Sequence, residues 1–351
     1  MNLRQKRYLI FLFLVFYPFI FSGKTPSRRE PARLFESNEI LTLELIADMD
    51  SLIQDIGDDP AIRPATLCYF DDTGNRISVP IQVYTRGNFR RRPENCNFPP
   101  LEFKFSKKDV ENTIFEGQDE LKLVTHCQTD LPEYTQFLFK EYLVYRLYNE
   151  FSSFSFRVRL FEITYIDKDD PDDRISSYGF FIERPKHMAG RNGGVVLKVE
   201  NFSISDMDSE IFAQLALFQY MIANNDWSIP ILHNIKLVSY DPLRPPVPVP
   251  YDFDYAGIIN APYRSMIKDS SQDNESDRFY KGICWSRREF ISLFEIFKRK
   301  KHGIFKLYQE FELMDVDEKA QTVQILNDFY ELIDRPGSAV QELRKDCKSW
   351  Q

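Results

Sequence analysis

The chain has 351 residues, enough to bury a substantial core in one large domain or in two lobes. Its 43% hydrophobic and 28% charged residues exclude a disordered chain, and its formal net charge of −8 excludes a protein that binds nucleic acid over its whole surface. Five cysteines without a CxxC pair and only four histidines argue against a zinc knuckle or a histidine-rich metal centre.

Residues 1–23 have the layout of a secretory signal. Basic residues precede an uninterrupted apolar run over residues 8–22, and a polar linker over residues 24–35 follows. The apolar run is short for a membrane-spanning helix, and Phe21 stands where a cleavage site prefers a small residue. The segment is therefore either a cleaved signal or an uncleaved anchor. Both predict an exported protein that is periplasmic, secreted or anchored by residues 8–22 and meets the membrane only there.

Residues 36–200 are rich in strand patterns. The segment 36–56 begins with alternating apolar residues, residues 65–87 have the pattern of a hairpin, and shorter strands are expected at 99–107 and 120–127. A helix is predicted over residues 132–151, where Asp130 is a suitable N-cap. Two further strands are expected over 156–166 and 177–184.

Residues 201–351 are mainly helical. A nearly all-apolar helix is predicted over 206–226, short strands over 233–240 and 247–253, and further helices in the C-terminal part. A β-rich N-terminal lobe (36–200) followed by a helical C-terminal lobe (201–351) predicts a two-lobed α+β fold, with a ligand site in the cleft. In an oxidising compartment the odd number of cysteines leaves at least one thiol unpaired, and Cys96 with Cys127 is a candidate bridge.

Four polar residues of the second half form a pattern that suits phosphoryl transfer. Asp226 ends the apolar helix, Asn234 opens the next strand, and Asp252 and Asp254 close the strand after that. In phosphoryl transfer an Asp orients the acceptor hydroxyl or accepts its proton, while an Asn and a second Asp hold Mg²⁺. Asp252 and Asp254 lie two residues apart and so share one face of a strand, which favours a bound cation.

These motifs resemble the spore-coat CotH kinase-like family and, more distantly, the HipA toxin kinases and other atypical proteins of the protein-kinase-like fold. The resemblance covers "NND" at Asp226, "HN" at Asn234 and "DFD" at Asp252. It also covers "TRGNFRRRPENCNFPPLEFKF" and "YGFFIER" in the first half, in collinear order from about residue 80 to 260. It implies a two-lobed protein-kinase-like fold that binds ATP with Mg²⁺ or Mn²⁺.

The resemblance also implies residue roles. Lys104 would bind phosphate, Glu141 would orient that lysine, Glu183 would begin the hinge near the adenine, and Asp226 would be the catalytic acid or base. Asn234 with Asp252 or Asp254 would bind the metal, and Arg86 with Arg90 to Arg92 would grip phosphates. Lys198 is the alternative phosphate lysine.

Three functions are compatible with the sequence. The first is a kinase that transfers phosphate from the nucleotide to a small molecule or to a protein of the cell envelope, with no role for nucleic acid. The second is a catalytically inactive exported envelope protein whose acids hold a structural cation such as Ca²⁺. The third is a two-metal phosphoester hydrolase, for which the chain offers few ligands.

Overall fold

The computed structural model describes residues 33–71, 73–267 and 278–348. The predicted signal over residues 1–23 and most of the predicted linker lie outside these ranges. Within them, no helix combines the length and the apolar character that crossing a bilayer requires.

Seven strands with alternating buried positions form a closed barrel in the order β1-β2-β3-β4-β5-β7-β6. They are β1 (Leu41–Ala47), β2 (Arg63–Phe70), β3 (Arg76–Thr85), β4 (Leu101–Phe105), β5 (Glu120–Val124), β6 (Val158–Asp167) and β7 (Arg174–Ile182). Neighbouring strands are antiparallel except β1 and β6, whose parallel pairing from Leu41↔Phe161 to Ala47↔Asp167 closes the barrel.

The predicted two-lobed, protein-kinase-like α+β fold is therefore wrong. A kinase-like N-terminal lobe has an open sheet, whereas here the pairing of β1 with β6 leaves the barrel without a free edge. Large aromatic side chains fill the interior, among them Phe103, Phe115 and Phe181, so that the barrel is a packed core. The division between residues 36–200 and 201–351 stays a prediction.

The helical part of the protein packs against the outside of the barrel; two of its helices lie between barrel strands in the chain, and the others follow the last barrel strand. Its helices are α1 (Met49–Ile53), α2 (Glu133–Asn149), α3 (Pro185–Arg191), α4 (Ser209–Met221), α5 (Arg287–Gln309), α6 (Val316–Ile333) and α7 (Pro336–Leu343). The first of these is a short helix beside the barrel, and α2 is buried with α4, α5, α6 and α7 in one apolar core. A small sheet in the order β10-β9-β8 joins them, formed by β8 (Val195–Val196), β9 (Ile235–Ser239) and β10 (Val247–Pro250).

The two long helices of the sequence prediction are confirmed as α2 and α4. The predicted start of the second, at residue 206, is too early, because the side chain of Asp208 accepts hydrogen bonds from the amides of Glu210 and Ile211 and begins α4 at Ser209. Residues Ile204–Asp206 form a separate 3₁₀ turn instead.

Two disulfides are present. The bridge predicted between Cys96 and Cys127 is confirmed, and it ties the loop after β3 to the end of β5. A second bridge joins Cys284 to Cys347, and Cys68 is a buried free thiol.

Candidate functional site

The two ends of the β9–β10 hairpin place Asn234 and Asp252 side by side. Asn234 immediately precedes β9 and Asp252 follows β10 by one residue, and the amide of Tyr251 donates to the carbonyl of Asn234 at 3.1 Å. Both residues have left-handed backbones, with φ of +54° for Asn234 and +61° for Asp252. Such conformations are uncommon outside glycine and occur preferentially at functional sites.

The end of α4 lies against the segment that follows β10. The amide of Gly257 donates to the carbonyl of Ala223 at 2.9 Å. A Cβ atom at Gly257 would come within 2.7 Å of the Cβ of Ala223, so that only glycine allows this approach. Because the end of α4 contacts the segment after β10, the loop that carries Asp226 lies close to Asp252 and Asp254.

The Asp226 carboxylate is held by two side chains. Its Oδ1 lies 2.8 Å from Nε2 of His233, and its Oδ2 accepts from Nδ2 of Asn234 at 2.9 Å. The same Nδ2 donates to the Asp226 carbonyl at 2.9 Å, and the Asp226 amide donates to Oδ1 of Asn224 at 3.0 Å. The side chain of Asp226 is still 39% exposed, which leaves it accessible to a hydroxyl group of a substrate.

Two buried acids share one arginine. Nη1 of Arg90 lies 3.9 Å from Oε2 of Glu141 and 4.0 Å from Oδ2 of Asp254, and its Nη2 donates to the carbonyl of Thr125 at 2.9 Å. Glu141 and Asp254 are almost fully buried. A single guanidinium at these distances can balance only one of the two carboxylates, so that ionising both of them would leave excess negative charge.

The pKa values reflect this excess of charge. Burial and the neighbouring Asp252 raise the pKa of Asp254 to about 7, against the opposing effect of Arg90. Burial and Asp254 raise the pKa of Glu141 well above its usual value. A bound cation would offset the energetic cost of ionising these buried carboxylates.

Two basic side chains of the barrel lie near enough to Asp252 for its charge to affect their pKa values. Arg86 follows β3 and Lys122 lies on β5, opposite Glu102 of β4. Burial lowers the pKa of Arg86, while Asp252 and Glu102 act to raise it. Burial and Arg86 lower the pKa of Lys122, again opposed by Glu102 and Asp252. The side chain of Lys122 is nevertheless open to solvent.

Helix α2 supplies the buried Glu141 and also restrains the backbone at Asp252. The hydroxyl of Tyr145, one turn beyond Glu141, accepts a hydrogen bond from the amide of Asp252 at 2.9 Å. Tyr145 is fully buried, which makes this contact a rigid anchor for the left-handed residue.

Lys104 and Glu183 lie outside these contacts. Nζ of Lys104 sits 4.9 Å from the centre of the Tyr84 ring, and Lys104 pairs in register with Glu120. The carboxylate of Glu183 accepts from Nε and Nη2 of Arg191 at 3.1 and 3.0 Å, in a buried ion pair. The structure thus brings together Arg86, Arg90, Glu141, Asp226, Asn234, Asp252 and Asp254, and it places Lys104 and Glu183 elsewhere.

The sequence reasoning missed Lys122, Tyr145 and His233. One signal was available for Lys122, because the strand that carries it directly precedes the helix that carries Glu141. The other two become recognisable only from tertiary contacts.

The residues present suit a hard divalent cation with few protein ligands. Across the described ranges, no three His, Cys, Asp or Glu residues form a group that could hold a metal ion. Asp252, Asp254 and the side-chain oxygen of Asn234 offer two carboxylates and one amide. Mg²⁺ accepts such a set, because it binds one or two carboxylates and retains water or phosphate oxygens as its other ligands.

No protein-family model matches the chain, and a comparison with curated proteins found no match.

Proposed function

We propose that this site binds a nucleoside triphosphate with Mg²⁺ or Mn²⁺ and transfers a phosphoryl group to a hydroxyl of a protein or small molecule. The observation that carries the proposal is the meeting of Asp226, Asn234 and Asp252. They come from three segments, the end of α4 and the two ends of the β9–β10 hairpin.

Asp226 is the proposed catalytic residue. Its carboxylate is oriented by Asn234 and His233 and remains partly exposed, so that it can orient an acceptor hydroxyl and take its proton. Asn234, Asp252 and Asp254 would hold the metal ion, which supplies charge neutralisation for the phosphates.

Arg86 and Lys122 are the proposed phosphate-binding residues. Both are cations near enough to Asp252 for its charge to affect their pKa values, and guanidinium and ammonium groups suit phosphate oxygens. In this proposal Lys122 takes the role that the resemblance implied for Lys104. Glu141 acts on Arg90 rather than on a lysine.

Two disulfides favour an oxidising compartment, which supports the export proposed from residues 1–23. A protein of the cell envelope is then the proposed macromolecular acceptor.

The alternative is an inactive envelope protein in which Asp252 and Asp254 hold a structural Ca²⁺. Two contacts favour this structural alternative, because both oxygens of the Asp226 carboxylate already have partners within the chain, as in a purely structural turn. Thermal unfolding of the full-length chain distinguishes the two functions. The melting temperature is measured without additive, with Mg²⁺, Mn²⁺ or Ca²⁺ alone, and with ATP plus each metal.

Ligand at a hundredfold its dissociation constant stabilises the folded state by about 2.7 kcal/mol. A rise in melting temperature that needs ATP and Mg²⁺ or Mn²⁺ together, and transfer of label from γ-labelled ATP that Asp226→Asn abolishes, would support the phosphotransferase. A rise with Ca²⁺ alone would support the structural cation. No response under any condition would reject both.

A further inference from the structure

A lysine outside the acidic cluster reaches the backbone on both sides of Asp226. Nζ of Lys281 donates to the carbonyl of Asn225 at 2.5 Å and lies 3.5 Å from the carbonyl of Trp227. These carbonyls belong to the residues that flank Asp226 directly. One ammonium group therefore bridges the two ends of the short stretch that carries the proposed catalytic carboxylate.

The segment that carries Lys281 is fixed against α4 and α5. Tyr280 is fully buried, and its ring packs against Phe290 with centroids 5.7 Å apart. A Cβ atom at Gly282 would come within 2.8 Å of the Cβ of Ala216 on α4, so the backbone approaches that helix as closely as glycine allows. Neighbours on both sides of Lys281 are thus held in place.

The C-terminal part of the chain fastens the same segment from outside. The disulfide joins Cys284 to Cys347, the amide of Cys284 donates to the carbonyl of Lys348 at 2.9 Å, and the amide of Lys348 donates to the carbonyl of Gly282 at 2.9 Å. A covalent bond and two backbone hydrogen bonds therefore restrain the chain within three residues of Lys281.

We infer that Lys281 is a positioning residue for Asp226. It fixes the peptide groups on both sides of Asp226 and so holds the carboxylate against Asn234 and His233. The inference rests on the proposed function for its effect on turnover, whereas its effect on the Asp226 loop is independent of any activity.

The test compares Lys281→Met, Lys281→Arg and wild type as full-length chains, with Lys306→Met, a change at an exposed lysine of α5, as the matched control. Hydrogen exchange of backbone amides in residues 223–228 reports the order of the loop. We expect exchange about tenfold faster in Lys281→Met, because its methyl group donates no hydrogen bond. Lys281→Arg and the control should exchange like wild type.

Steady-state kinetics supply the second readout. We expect kcat to fall about tenfold in Lys281→Met with KM for ATP unchanged, and Lys281→Arg to restore kcat. Unchanged exchange in Lys281→Met overturns the inference, and so does an equal loss of kcat in Lys281→Arg when exchange is normal. Should Lys281→Met fail to fold, Lys281→Gln replaces it, because glutamine retains a shorter, uncharged amide donor and should give an intermediate exchange rate.

The two proposals fail in different ways. Absence of phosphoryl transfer in wild type rejects the proposed function, while the exchange measurement still decides the role of Lys281.

Discussion

Asn234 donates its side-chain amide to both the carboxylate and the carbonyl of Asp226, at 2.9 Å each, from a left-handed backbone with φ of +54°. One side chain therefore sets the position and the orientation of the proposed catalytic group. The eight-residue separation of the two in sequence is spanned by a loop that turns back on itself, with the Ser228 amide donating to the His233 carbonyl.

Replacing Asn234 tests this relationship. Asn234→Gly keeps the left-handed backbone without strain but removes the amide, whereas Asn234→Ala removes the amide and adds strain. We expect both variants to lose phosphoryl transfer by about a hundredfold, and Asn234→Ala to be about 1 kcal/mol less stable than Asn234→Gly in urea unfolding. Full activity in Asn234→Gly would show that the backbone conformation matters and the amide does not.

Substitutions of Lys104 and Lys122 test which lysine binds phosphate, because the family resemblance implies Lys104 whereas the structure favours Lys122. Lys122→Ala should weaken ATP binding about tenfold, because it removes a cation near Asp252, and Lys104→Ala should leave binding unchanged. Calorimetric titration with ATP and Mn²⁺ measures both. The reverse order of effects would restore Lys104 as the phosphate lysine and contradict the placement of Lys122.

We expect the metal dependence of ATP binding to require Asp252. Asp252→Asn should abolish the rise in melting temperature produced by ATP with Mg²⁺ or Mn²⁺, because an amide replaces an anionic ligand. Its melting temperature without ligand should not fall, because the substitution removes one of several crowded negative charges. Asp172→Asn, in an exposed acidic turn, is the control and should respond like wild type.

His126 should make stability pH-dependent. It is buried between Phe98 and Tyr165, and burial and Arg90 lower its pKa to about 4 from a usual 6.5. The unfolded chain therefore binds a proton below pH 6.5 that the folded chain excludes, so stability falls as the pH decreases from 6.5 towards 4. The loss between pH 7 and pH 5 is about 2 kcal/mol from this residue.

Urea unfolding at the two pH values measures this loss. His126→Gln should show a smaller loss over the same range, because glutamine does not titrate. An unchanged pH dependence in that variant would assign the effect to other groups.

An ion pair between a buried lysine and a partly buried glutamate connects α2 to α6. Lys140, beside Glu141 on α2, pairs with Glu318 and donates to the carbonyl of Ile259 at 3.3 Å. Lys140→Met leaves Glu318 without its cation and should cost about 3 kcal/mol of stability, while the double variant with Glu318→Leu should recover most of it. A double variant as unstable as the sum of the single ones would show that the two side chains do not interact.

Several features could be predicted from the sequence, among them a helix and a hairpin, which depend on residues close together in the chain. The apolar spacing from residue 132 predicted α2, the alternation in β2 and β3 predicted a hairpin, and the order of Asp226, Asn234 and Asp252 predicted a shared site. The Cys96–Cys127 bridge was also anticipated from the sequence.

The tertiary structure decided what depends on pairing between distant segments. Alternation shows which face of a strand is buried, but it does not show that β1 pairs with β6 about 120 residues away, and that pairing makes a barrel instead of an open sheet. Likewise, Lys104 and Lys122 occupy similar alternating strands, but the tertiary structure places Lys122 within the electrostatic influence of Asp252 and Lys104 over the Tyr84 ring. Local sequence patterns therefore determined the helices and strands, whereas packing between distant segments determined which charged side chains lie close together.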